Sequence, residues 1–155
     1  MLIYVNDIVV TWNNDQFIQQ LIDALGQEFA IKNLGHLHYF LSLKVQYTHT
    51  SLILSQGKYA KDIVAKVDLE ASSHFNTPIA LNAHSIDKDN MSFNAKTSRS
   101  LAGALLYLTY TRSDIVHVVH KVCQKVQQST IGDYKAIKCI IRYIKGIINF
   151  GLQFI

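Results

Sequence analysis

The sequence predicts an α+β fold: two β-hairpins with packed helices, followed by a helical bundle. Three observations carry this. The 155-residue chain opens on two short β-branched and aromatic runs around a polar pair. A second pair of such runs lies within 37–55. From residue 97 onward the apolar residues recur at three- and four-residue spacing.

The first hairpin is LIYV and IVVTW with Asn6–Asp7 between them. A hairpin alone is marginal in water, so further strands are expected upstream to complete its sheet. Asn13–Asn14 supplies a cap for a helix reaching about Phe29, with Phe17, Leu21, Ile22, Leu25 and Phe29 on one face. In the second hairpin LHYFLSLKVQY runs out, THTS turns and LILS returns. A helix from about Gln56 to Leu69 is expected to bury Tyr59, Ile63, Val64 and Val67. The polar stretch 70–96 holds the only proline, Pro78, and reads as a connection between parts.

Leu101, Leu105 and Leu108 then define a helix within 98–111. Ser113 is expected to cap a run with Ile115, Val118, Val119, Val122 and Val126 inward. A third run buries Ile137, Ile141, Ile144 and Ile148. Beside that apolar face Lys135, Lys138, Arg142 and Lys145 form one stripe. The domain expectation is therefore 1–70, a connection 71–96, and a helical region 97–155.

Composition excludes several classes. Hydrophobic residues make up 49% and charged residues 17%, which permits a packed core and argues against wholesale disorder. No apolar run suits a membrane span, since CIIRYIKGIINFGL is broken by Arg142 and Lys145; the opening MLIYVNDIVV has no basic leader and carries Asp7. Cys123 and Cys139 are too few for a disulfide scaffold and fit a reducing, intracellular compartment, whether cytoplasmic or nuclear. Net charge is +4, and all of the excess lies in 113–155, where six bases face two acids. Such asymmetry points to an anionic partner, nucleic acid first; a solvated helix face is the alternative.

Chemistry first suggests itself at the turn Tyr4-Val5-Asn6-Asp7. Acids at a hairpin tip are a way to hold divalent ions for nucleotidyl transfer. Other candidates fare worse. His117, His120 and Cys123 fan over roughly 120° of a helix, too wide for one tetrahedral ion. His36, His38 and His49 lack companions, and Ser55 and Ser100 lack a base. The two cysteines read as small, part-buried hydrophobes. Tyr107, Tyr110, Tyr134 and Tyr143 are spaced for core packing rather than for base stacking.

Read together, the segments LIYVNDIVVT, LGHLHYFLSLKVQY, LILSQGKYAKDIV, NTPIALN, SRSLAGALLYLTYTRSDIVHVV and AIKCIIRYIKGIINFGLQF resemble, in this order, the C-terminal part of the reverse transcriptase of copia-type retrotransposons. The resemblance covers nearly the whole chain and ends before that family's ribonuclease H domain. It implies a partial polymerase palm followed by a thumb-like bundle. The first hairpin would carry the Tyr-x-Asp-Asp motif, with Tyr4 near the primer terminus and Asp7 as the second acid and metal ligand, for Mg2+. Leu41, Ser42 and Lys44 would lie in the primer grip. Lys135, Lys138, Arg142 and Lys145 would follow the phosphates of an RNA or DNA template–primer duplex, with salt-dependent affinity. An upstream polymerase half would be a further partner.

Departures from the family pattern imply an inactive chain. The first motif acid is Asn6. One charge at ~4 Å and an effective dielectric of ~20 is worth roughly 4 kcal/mol, and about twice that opposite a divalent ion. A loss of that order reduces a rate by several powers of ten. The fingers and the upstream palm acid have no counterpart here. The family's primer-grip Gly and Glu are Ser42 and Lys44, and the Pro of its TRPDI segment is Ser113. Two alternatives stay open: a non-catalytic nucleic-acid-binding module using the basic stripe, and a translated remnant whose exposed sheet edge aggregates.

Overall fold

The structure, a computed structural model, describes residues 1–79 and 93–155. Residues 80–92, part of the expected connection and of the NTPIALN segment, lie outside the described residues. The chain divides into two compact units, Met1–His38 and Tyr39–Ile155.

In the first unit β1 (Leu2–Tyr4) pairs antiparallel with β2 (Asp7–Val9), followed by α1 (Asp15–Glu28). The Asn14 side chain accepts from the Gln16 N–H at 2.9 Å and starts the helix as the sequence predicts. Phe29 closes it, its N–H donating to the Leu25 carbonyl. No residue of this unit is buried. Two short strands and one helix cannot enclose an interior, so Leu2, Ile3 and Val5 remain exposed.

The second unit is a four-stranded antiparallel sheet with helices. Its strands are β3 (Tyr39–Phe40), β4 (Leu43–Tyr47), β5 (Leu52–Ser55) and β6 (Gly151–Phe154), in the order β3-β4-β5-β6. Its helices are α2 (Gly57–Lys66), α3 (Ala95–Leu108), α4 (Val116–Lys125) and α5 (Ile131–Gly146). Short 3-10 turns at Ser113–Ile115 and Val126–Gln128 flank α4. The core lies among the helices: Ile63 and Val64 of α2, Leu101, Leu105 and Leu108 of α3, Val119 of α4, and Ile137, Ile141 and Ile144 of α5. These are the periodic positions that the sequence marks.

Local chemistry sets the helix ends. Asp68 takes a left-handed φ of 53°, and the Leu69 N–H returns to the Val64 carbonyl at 3.2 Å, which stops α2 at Lys66 rather than near Leu69. Asn94 accepts from the N–H groups of Lys96 and Thr97 and opens α3. Thr130 and Asp133 form a reciprocal capping box on α5.

Five expectations are corrected. The run 37–47 is not one strand, because a two-residue turn at Leu41–Ser42 folds it into its own hairpin. Ser113 makes no side-chain cap; the chain enters α4 through a 3-10 turn instead. Tyr110 is exposed rather than packed in the core, and Ile148 is only part-buried while Ile140 is fully buried. Finally, the chain does not stay helical to its end: residues 151–154 form β6, whose ladder with β5 runs Leu52↔Phe154 to Ser55↔Gly151. Gly151 permits that approach, since a Cβ there would lie 2.3 Å from the Leu54 carbonyl oxygen.

Candidate functional site

The opening hairpin presents the residues singled out for catalysis. Its register pairs Leu2 with Val9, Ile3 with Ile8 and Tyr4 with Asp7, which leaves Val5 and Asn6 as the whole turn. Directly opposed residues share a face, so Tyr4 and Asp7 stand side by side, with Asn6 preceding Asp7 at the tip. Val5 has φ 51°, a conformation that costs a β-branched residue on the order of 1–3 kcal/mol. All four tip residues are exposed.

That donor set can be tested against a divalent ion. Magnesium takes about six oxygens in a near-octahedral shell. The tip offers one carboxylate, from Asp7, and one amide oxygen, from Asn6. Among the described residues no group of three or more His, Cys, Asp or Glu side chains comes together. The residues present do not fit a two-ion centre.

The second candidate segment is the β3–β4 turn. Leu41 and Ser42 both have positive φ, 49° and 63°, as a tight two-residue hairpin turn requires. The Tyr107 hydroxyl of α3 donates to the Leu41 carbonyl and ties this turn to the helices. Tyr107 also meets Tyr59 edge-on at 5.2 Å. Burial, and then the charge of nearby Tyr107, push the Tyr59 hydroxyl upward. Lys44 is exposed on β4, opposite Tyr39, while Val45 turns into the core.

The basic stripe of α5 divides in two. Lys135 is exposed, and Lys138 lies 5.0 Å from the ring of Tyr134, which itself stacks on Phe93. Arg142 and Lys145 are turned to the chain itself. Arg142 donates from Nε to the Ser73 carbonyl at 2.8 Å and covers the Phe75 ring at 3.6 Å. The Lys145 ammonium donates to the carbonyls of Leu69, Glu70 and Ser72. The segment after α2 folds back over this half of α5, the Phe75 N–H donating to the Arg142 carbonyl, and so recruits the two nearest cations.

A charge network centred on the buried Arg112 was not among the expected sites. Arg112 is 4% exposed. It forms a two-pronged pair with Asp114, Nε to Oδ1 at 3.0 Å and Nη2 to Oδ2 at 2.7 Å, and caps α5 through Nη1 to the Ile147 carbonyl at 2.9 Å. The Tyr143 hydroxyl donates to the same carboxylate at 2.9 Å. Burial pushes the Asp114 carboxyl up, but the hydrogen bonds from Arg112 and Tyr143 together hold it below the usual carboxylate value. Burial, and secondly the bond to Asp114, raise Tyr143. The one available signal was two opposite charges two residues apart in an otherwise apolar, acid-poor segment. Cys123 and Cys139 are part-buried, and burial raises both thiols.

Comparison with known proteins identifies the family of the sequence. The family model for reverse transcriptase (RNA-dependent DNA polymerase) matches residues 1–81, and the chain belongs to that family. Its relatives make it copia-type reverse transcriptase sequence. It is 33% identical over 153 residues to the retrovirus-related Pol polyprotein from transposon RE1 of Arabidopsis thaliana, covering 98% of this chain and 10% of that one. It is 30% identical over 159 residues to the Pol polyprotein from transposon TNT 1-94 of Nicotiana tabacum, covering 94% and 12%. It is 36% identical over 152 residues to an uncharacterized mitochondrial protein of Arabidopsis thaliana, covering 98% and 63%. The chain thus spans about three fifths of the length of one curated relative and about a tenth of the polyproteins. No solved structure matches it.

Proposed function

We propose that this chain is the C-terminal palm and thumb of a copia-type reverse transcriptase, one that engages a template–primer duplex without extending it. In this reading residues 1–70 are the partial palm, 71–96 the connection and 97–155 the thumb. Leu41, Ser42 and Lys44 lie in the primer grip, and Lys135, Lys138, Arg142 and Lys145 belong to the thumb's duplex-facing helix. The hydrogen bonds of Arg142 and Lys145 to the 69–73 segment give those two a structural duty as well. The family match and the order of the motifs support the assignment.

One observation carries the inactivity. The exposed hairpin tip holds a single carboxylate, Asp7, beside a neutral Asn6. Reverse transcriptases use divalent metal ions, here Mg2+, to activate the primer end and neutralise the leaving phosphates. This tip supplies too little negative charge to gather them. Tyr4, sharing the face of Asp7, is the residue nearest a primer terminus in this reading.

Primer extension tests it. The purified chain, given Mg2+, deoxynucleotides and a recessed duplex, is expected to incorporate nothing. Incorporation that disappears in Asp7→Ala overturns the reading.

A further inference from the structure

We infer that the outer face of α4 is a phosphate-binding surface whose grip on a nucleic-acid duplex tightens as pH falls, because two of its cationic positions are histidines. This rests on the reading of the chain as a handler of template–primer nucleic acid, and it assigns a contact face other than the α5 stripe.

The helix is sharply two-sided. Val118, Val119 and Val122 are buried, whereas His117, His120, Lys121 and Gln124 are all exposed. At 3.6 residues per turn these four fall within an arc of about 100° and extend about 10 Å along the axis. That length is enough to reach two or three phosphates of a duplex, which carries one charge per ~3.4 Å of axis on each strand. Among the described residues His117, His120 and Lys121 have no ion pair or hydrogen-bond partner, in contrast to Arg142 and Lys145.

The charge on α4 itself and on the α3 residues exposed beside it is positive. There is no acid on α3, on α4 or in the Val126–Gln128 turn. Of the elements packed against α4, α3 adds exposed Lys96 and Arg99. The Ser113–Ile115 turn holds Asp114, already bound by Arg112 and Tyr143. On α5, Asp133 is occupied by Thr130 and lies 3.7 Å from Lys125. Neither carboxylate is left to neutralise the histidines. The complementary partner is a dense polyanion, and within the proposed function that is the duplex backbone.

Imidazoles charge as pH falls between about 8 and 5. Two added cations on phosphates steepen the dependence of log affinity on log salt by about 2, since each neutralised phosphate contributes ~0.9. At about 0.1 M salt this corresponds to tens-fold tighter binding.

The experiment is fluorescence anisotropy of the full chain with a labelled, recessed DNA duplex, at about pH 5.5 and 8 and across about 50 to 300 mM salt. Binding is expected to tighten and its salt slope to steepen at the lower pH. The double variant His117→Gln/His120→Gln should lose that change while matching the parent at the higher pH. His49→Gln, on an exposed turn, should keep it. Binding that does not respond to pH, or a response that survives the double variant, overturns the assignment and leaves the nucleic-acid reading standing. No binding under any condition removes both.

Discussion

Asp114→Ala strands the Arg112 guanidinium, and the structure sets the size of the effect. The Arg112 side chain is 5% exposed and that of Asp114 38%. Two hydrogen bonds to charged groups, at 3.0 and 2.7 Å, are lost. Each is worth about 1.5–3 kcal/mol. The Ile147 carbonyl remains as a partner, so the net cost is about 3 kcal/mol rather than the full sum. Arg112→Met keeps the apolar stem and leaves Asp114 with Tyr143 and with water, for a cost of about 1–2 kcal/mol. The double variant should be no less stable than Asp114→Ala alone, a coupling of about 2 kcal/mol. Urea unfolding followed by circular dichroism measures all three. Simple additivity, or Arg112→Met as the worse single variant, refutes the reasoning. The pH arm has a definite sign. The folded-state carboxyl lies below its unfolded value, so its contribution is complete above the ordinary carboxylate range and is lost as pH falls through the depressed value. Asp114→Asn should flatten that acid limb.

Other perturbations test separate parts of the structure. Ser42→Gly should stabilise by about 0.5 kcal/mol, because glycine adopts the observed φ of 63° without strain, and a lower unfolding midpoint would show that the turn is not as described. Gly151→Ala should cost about 1–3 kcal/mol by forcing β6 off the Leu54 carbonyl, and an unchanged midpoint would remove β6 from the sheet. Lys145→Met should cost about 1–2 kcal/mol by removing the ammonium from the Glu70 and Ser72 carbonyls, while the Leu69 carbonyl keeps its bonds from Ser72; a neutral result there would return this lysine to the solvent-facing stripe. Limited trypsin digestion should cut at exposed Lys32, within the unit that buries nothing, before any site on α3, α4 or α5. The opposite order contradicts the two-unit division.

The sequence by itself determined the elements whose signal is local. Period-3.6 leucines and isoleucines placed α3 and α5, Asn14 marked the start of α1, and β-branched runs around Asn6–Asp7 marked the first hairpin, because capping and burial periodicity are written within a few residues. That the tip holds a single carboxylate was equally legible, since Asn6 stands beside Asp7 in the chain. What tertiary structure alone decided depends on partners far apart in sequence. A β-rich segment becomes β6 only because β5, about a hundred residues earlier, offers an open edge that Gly151 can approach. That Arg142 and Lys145 also bond the 69–75 segment folded over α5 is invisible in the helical spacing of the stripe. Nothing local marks Arg112 as buried; the end of α5 closes over it and brings Tyr143 to its partner Asp114. Periodicity records which face of a helix is apolar; which polar groups that face meets is settled by the fold.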